Sequence, residues 1–309
     1  LLNRILTIEI ARVTEAAALA AAKWRGKGDE RQADEAAVEA MRKALNAIIE
    51  MDGLVVIGEG ERDQAPMLYV GEKVGGGKGP TIDIALDPLE GRTLCAKALP
   101  DAISCIAMAE NGGLLTVPYT YMDKIAIGGQ YAEGTVDLDL APEENIARLA
   151  KAKGVTPDQI CACVLDRPRN ETLIAAVRKA GTSIRLISDG DIAGVIHTVN
   201  PEETGIDIYL GVGGAREGVL AAAALRCIGG HMQGRLVAGG GPRSPYAKPE
   251  KKLSLIDMAS GDVMFAATGV TGGSLLSGVK FDRDSIETET IVMRSATKTT
   301  RWIRKRKRL

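Results

Sequence analysis

"CACVLDRPRNETLIAAVRKAGTSIRLISDGDIAGVIHTV", residues 161–199, sets the fold class. Two short apolar runs, 161–165 and 183–187, flank "NETLIAAVRKAG", whose apolar residues recur at helical spacing and which stops at Gly181. A second helical stretch, "DGDIAGVIHTV", follows the second run. The rhythm continues as strand and turn in "GIDIYLGVGG" (205–214) and as helix in "AREGVLAAAALRCIGG" (215–230). Strands alternating with helices call for a mostly parallel sheet with helices on its faces.

Outward from this stretch the pattern changes. Residues 3–24 and "DERQADEAAVEAMRKALNAI" (29–48) have helical spacing, and "GLVVIGEGE" (53–61) is a β-type run ended by glycines. Strands are expected at 82–86, 103–109, 114–117 and 124–128. "APEENIARLAKAKG" (141–154) reads as a helix, with Pro142 near its start, acids in its first turn and Gly154 at its end. A turn-rich segment at 238–252 precedes closing strands near 262–267, 290–294 and 298–303. The expectation is an α/β protein, a mixed sheet followed by a mostly parallel one. It divides into domains 1–155 and 156–309, with the closing strands able to return to the first.

Lys and Arg total 39 against 40 Asp and Glu, so no charge excess points to nucleic acid or to an anionic membrane. Aromatics make up 3 % of the chain and glycines number 36, which implies an aliphatic core and many turns. Five irregularly spaced cysteines argue against a disulfide framework and suit a reducing compartment. Cys161 and Cys163 read as buried packing, because two histidines in the whole chain offer zinc few partners. No apolar run approaches the roughly 20 residues of a membrane helix. The N-terminal stretch carries Glu9, Arg12 and Glu15, unlike a signal peptide. A cytoplasmic protein is expected; the sequence opens on Leu1 rather than Met, which leaves residues before it open.

Three acidic turns, each flanked by glycine, carry the chemistry. "GEGERDQAP" alternates Glu59, Glu61 and Asp63 after a strand, which puts three carboxylates on one side of an extended chain. "DIALDPLEGRTL" (83–94) crowds Asp87 and Glu90 onto one turn, and Glu217 sits in "YLGVGGAREGVL". Asp34, on the second helix, is a candidate to join them. Oxygen ligands without His or Cys favour Mg²⁺ or Mn²⁺, and pairs of such ions clamp phosphoryl groups and activate water. Arg167 and Arg169 in "LDRPRN" suit bidentate phosphate contacts, and Asp189 and Asp191 in "SDGD" suit sugar hydroxyls, or else surface pairing and helix capping. "GGGKGP" (75–80) is no P-loop, since Pro80 blocks the helix, and "GVGGAREG" (211–218) has Arg216 where a dinucleotide fingerprint needs glycine. The basic "RWIRKRKRL" (301–309) reads as a solvated terminus.

"ARVTEAAALAAAKWRGKGD", "VVIGEGERDQAPMLYVGEKVG", "DIALDPLEG", "DRPR", "ISDGD", "GGHMQGRL" and "FAATGVT", in this order over nearly the whole chain, resemble the class II fructose-1,6-bisphosphatases of bacteria. The resemblance implies a layered α/β sandwich of the sugar/inositol phosphatase type, an N-terminal metal-binding domain and a C-terminal substrate-binding one. It implies hydrolysis of the 1-phosphate of fructose 1,6-bisphosphate with Mn²⁺ or Mg²⁺ in gluconeogenesis. It places metal ligands at Asp34, Glu59, Asp87, Glu90 and Glu217. Substrate contacts fall on Glu90, Gly91, Arg92, Tyr121, Arg167, Pro168, Arg169, Asp189, Gly190, Asp191 and Gly214. Asp63, with Glu61, is assigned the attacking water.

The chain departs from the family pattern where a threonine hydroxyl normally follows the "DPxEG" glycine and positions that water. Arg92 stands there, and Thr93 is the next hydroxyl able to take the role. Two roles are open to Arg92: pairing with phosphate, or occupying a metal's place by its own charge. Gln64 replaces an acid, Asn170 a histidine, Arg216 a proline, and Tyr119-Thr120 stands where an Asp commonly precedes the tyrosine. The leading expectation is an active phosphatase, with a small sugar bisphosphate as partner, no nucleic acid or membrane, and a homo-oligomer, dimer or tetramer. The alternatives are an impaired homologue that binds metal and sugar phosphate without turnover, or a phosphatase for sedoheptulose 1,7-bisphosphate or another sugar or inositol phosphate.

Overall fold

A computed structural model describes residues 2–60, 66–237 and 251–309. In chain order the first elements are α1 (Leu6–Ala22), α2 (Glu30–Asn46), β1 (Asp52–Ile57), β2 (Lys73–Val74), β3 (Thr81–Glu90), α3 (Arg92–Ala96) and β4 (Ile103–Glu110). Then come β5 (Tyr121–Gly128), α4 (Pro142–Lys153), β6 (Cys161–Leu165), α5 (Glu171–Lys179), β7 (Ser183–Ile187), α6 (Asp191–Ile196) and α7 (Pro201–Thr204). They are followed by β8 (Ile208–Gly214), α8 (Ala215–Ile228), β9 (Gly230–Val237), β10 (Leu253–Ser254) and α9 (Leu255–Met258). The chain closes with β11 (Val263–Gly269), β12 (Lys280–Phe281), β13 (Ser285–Arg294) and β14 (Thr299–Arg308).

Two compact units result, Leu1–Thr116 with Ala259–Leu309, and Val117–Met258. The first unit holds a sheet in the order β12-β13-β11-β4-β3-β1-β2, with β14 on β13. β1 and β3 run parallel, and the other neighbours antiparallel. α1 and α2 pack together and against this sheet. Ile10, Val13 and Ala17 of α1 and Met41 and Leu45 of α2 share one core with Ile84, Ile106 and Met264 of the strands. Alanines on the inner faces let the helices lie close, which suits a chain poor in aromatics.

The second unit's sheet runs β10-β9-β5-β8-β6-β7. It is parallel only from β8 through β6 to β7, the stretch where strands and helices alternate. β5, β9 and β10 join antiparallel, which makes this sheet mixed. β5 lies between β9 and β8, so residues 117–155 belong to this unit, and the divide falls at 116/117 rather than near 155. The βα rhythm of the sequence becomes regular only after residue 155. The strand expected at 114–117 does not form; Leu114 makes a single bridge to Ala259.

The basic C-terminus is an edge strand rather than a solvated tail. β14 pairs with β13 from Arg308↔Ser285 to Thr299↔Arg294. Its charges meet acids: Arg304 with Glu289 at 2.7 Å, Lys305 with Glu15, and Arg306 with Glu287 at 3.5 Å. All five cysteines are free thiols, and Cys163 is buried in β6. No helix among the described residues is long and apolar enough to cross a membrane.

Candidate active site

In the first unit the site starts from a defect in strand pairing. Asp87 pairs with Cys105 and Glu90 with Ile103, so Pro88 and Leu89 stand opposite Ser104 alone. This is a β-bulge, a device that bends a strand end and re-aims its side chains, and it accepts Pro88, which has no N–H for the ladder. Asp87 is half-buried and its Oδ1 accepts the Leu89 N–H at 3.2 Å, while Glu90 is buried. Gly91 then turns the chain with φ 90° and ψ 49°. The left-handed conformation requires glycine, and a Cβ there would also press on Leu94 Cδ1 at 2.9 Å. Arg92 opens α3, and Thr93 follows it, half-buried.

Asp34 and Glu59 reach the same place from different elements. Asp29 caps α2 by accepting the Gln32 N–H at 3.0 Å, and Asp34 borders the helix face that buries Ala33 and Ala37. Glu59 follows β1, held by its N–H to the Leu68 carbonyl at 3.0 Å. Arg92 joins the two: Nε lies 2.8 Å from Asp34 Oδ1, and Nη2 donates to Glu59 Oε2 at 2.9 Å. The acid side chains are 14 % and 12 % exposed and the arginine 48 %. Burial, followed by the Glu59 carboxylate, pushes the Asp34 carboxyl up to about 7 against the opposing pull of Arg92. The pair therefore calls for a positive charge, and a guanidinium supplies one.

Oxygen-only donors at Asp87 and Glu90 suit a hard divalent cation. Asp34 and Glu59 suit a cation too, but Arg92 already stands on them. Among the described residues no three acids, histidines or cysteines come together as a ready metal cage. Glu61, Asp63 and Gln64 lie outside the described residues.

The second unit gathers a different set. Lys124, in the middle of β5, is 1 % exposed and pairs with Asp191 at the start of α6, itself 5 % exposed. Lys124 Nζ also donates to the Gly214 carbonyl at 3.1 Å, and the Tyr209 hydroxyl lies 3.5 Å from Asp191 Oδ2. The glycines of β8 make room for these charges. A Cβ on Gly213 would lie 2.2 Å from Asp191 Oδ2 and 2.8 Å from Lys124 Nζ, and one on Gly214 would lie 1.8 Å from Glu217 Oε2. "GVGG" is thus a passage for buried side chains. Glu217, in the first turn of α8, has its carboxyl pushed up by burial and then by Asp191, with Lys124 opposing.

Arg169 is fastened in place: Nε donates to the Val212 carbonyl at 2.8 Å and the guanidinium stacks 4.4 Å from the Tyr121 ring centroid. Buried Asn170 donates to the Leu165 and Val212 carbonyls at 3.0 and 3.2 Å and accepts the Val212 N–H at 2.9 Å. It thereby ties the end of β6 to β8. Arg167 precedes it, half-buried, and Pro168 starts the intervening 3₁₀ turn. Asp189 is half-buried, and its Oδ1 accepts the N–H of left-handed Gly190 at 3.2 Å; Asp191 is the deeper of the two acids. Two departures from the family pattern meet, with the Arg216 guanidinium 4.4 Å from the centroid of the exposed Tyr119 ring.

Lys124 and Tyr209 escape sequence reasoning. The available signal was a lone lysine inside the apolar strand "YMDKIAIG", since a fully buried lysine needs a paired carboxylate.

A family model described as "Bacterial fructose-1,6-bisphosphatase, glpX-encoded" matches residues 4–307. The "D-fructose 1,6-bisphosphatase class 2/sedoheptulose 1,7-bisphosphatase" of Synechococcus sp. (strain JA-3-3Ab) is 43% identical over 329 residues, covering 96% of this chain and 94% of its own. The "Fructose-1,6-bisphosphatase class 2" of Haemophilus influenzae is 41% identical over 321 residues, covering 98% of this chain and 96% of its own. Class II fructose-1,6-bisphosphatases are metal-dependent phosphatases. At this identity and coverage, the chain belongs to the class II bacterial fructose-1,6-bisphosphatase family.

Proposed function

We propose that this chain hydrolyses the 1-phosphate of fructose 1,6-bisphosphate, releasing fructose 6-phosphate and inorganic phosphate, as a step of gluconeogenesis. The observation that carries the reading is the bulged end of β3, which holds Asp87 and Glu90 and runs through Gly91 into α3. In the first unit Asp87 and Glu90 would hold divalent metal. When bound, Mn²⁺ or Mg²⁺ supplies charge against the phosphoryl oxygens and a more acidic water. Asp63, with Glu61, accepts the proton of the water that attacks phosphorus as the bond to the sugar oxygen breaks. Thr93 is the hydroxyl assigned to orient that water.

Arg167 and Arg169 hold the phosphate that is not cleaved. Arg169 suits this because its hydrogen bond to Val212 and its stack on Tyr121 fix the guanidinium before substrate arrives. Asp189, Gly190 and Gly214 face the sugar, and Asp191 orders Lys124 beneath them. Balanced charge and five free thiols support a cytoplasmic enzyme acting on a small phosphorylated sugar; we read it as a homo-oligomer.

One observation favours a second reading, a homologue that binds metal and sugar phosphate with little turnover. Arg92 sits on Asp34 and Glu59, and a guanidinium cannot accept the proton of a water as a hydroxyl relay does. Phosphate release with Mn²⁺ over fructose 1,6-bisphosphate, sedoheptulose 1,7-bisphosphate, inositol phosphates and monophosphates separates the readings. Fructose 1,6-bisphosphate is expected to give the highest kcat/KM; no release from any compound would leave the impaired homologue.

A further inference from the structure

We propose that the Arg92 guanidinium is the permanent cation of the Asp34–Glu59 pair, so that this pair takes no divalent ion and Arg92 caps the metal capacity of the first unit. The inference rests on the reading of the chain as a metal-dependent phosphatase, and deepens it. Arg92 spans both acids with two different nitrogens, Nε at 2.8 Å from Asp34 Oδ1 and Nη2 at 2.9 Å from Glu59 Oε2. A divalent ion shared by these carboxylates needs the same lone pairs and the same space, so the two cations exclude each other by sterics and by charge.

The arginine is held on the pair by its backbone. Gly91 fixes the turn that starts α3, Leu94 and Cys95 are buried just behind, and Cys95 N–H bonds the Gly91 carbonyl at 2.9 Å. The acids are equally fixed, Asp34 by a capped helix and Glu59 by its bond to Leu68. Both carboxylates are more deeply buried than the guanidinium, which closes over them from the solvent side. Of the two roles open to Arg92 from sequence, this geometry points to the substitute cation. A guanidinium that donates to Glu59 and pairs with Asp34 has less to give a phosphate.

The test counts Mn²⁺ bound per chain by equilibrium dialysis of the whole protein without substrate, so its outcome does not depend on turnover. Arg92→Thr is expected to bind one Mn²⁺ more than the unaltered protein. Asp34→Asn on the unaltered background is expected to change the count by nothing, yet to abolish the extra ion on the Arg92→Thr background. Glu59→Gln gives the same comparison if Asp34→Asn does not fold. Loss of an Mn²⁺ equivalent on Asp34→Asn alone, or no gain on Arg92→Thr, overturns the proposal. The expected metal counts with no phosphate release from any sugar phosphate would instead sink only the phosphatase reading.

Discussion

Lys124→Met is the perturbation with the clearest magnitude. It removes the ammonium that Asp191 holds and leaves a carboxylate only 5 % exposed without its cation. Breaking a buried pair from one side costs about 3–5 kcal/mol. In a unit of this size that lowers the melting temperature by on the order of 10 °C. Removing both charges is different, because the Asp191 carboxylate no longer stands without its cation: Lys124→Met with Asp191→Leu should recover most of the loss. The pH dependence has a definite sign. The Glu217 carboxyl is raised in the fold, and Lys124 is the strongest of the influences that oppose the rise. Its contribution to stability is therefore complete below its unfolded value and is lost as pH rises through the folded one. With Lys124 gone the folded value climbs further, and the variant's deficit should shrink on acidification. Circular dichroism melts of chelator-treated protein, at about pH 5 and about pH 8, measure both effects. A shift under about 2 °C for Lys124→Met, or a double variant worse than either single one, would falsify the buried-pair account.

Asp87→Ala should abolish phosphate release while leaving the fold intact, and thermal melts should show a smaller Mn²⁺-induced gain in melting temperature than in the unaltered protein. Arg169→Ala removes the side chain on Tyr121 and Val212 and should raise KM for the bisphosphate more than it lowers kcat; equal effects on a monophosphate would place Arg169 at the reacting phosphate instead. Asp34 titrates near 7 against a usual 3.8, so in chelated protein its contribution is present below about pH 4 and lost on rising to about pH 7, by at most about 4 kcal/mol. Asp34→Asn should flatten that part of the stability profile in urea unfolding, and an unchanged slope counts against the raised carboxyl.

The alternating runs of 161–230 contain the βα architecture in full, because strand and helix periods are properties of local sequence. The acidic strand end at Asp87–Glu90 was legible for the same reason, although the strand runs through both acids around a bulge and turns only at Gly91. β9 was not legible, since "GHMQGRLV" lacks alternation and forms beside β5 through long-range pairing. The place of β5 was hidden too, because a strand's neighbours are chosen by residues far away in the chain. Lys124 is a surface residue by type, and only burial against Asp191 reveals otherwise. Sequence alone left Arg92 between two roles. Tertiary structure placed it on Asp34 and Glu59, residues 58 and 33 positions away, because a helix face, a strand end and a glycine turn converge on one point, and no local pattern encodes where three such elements meet.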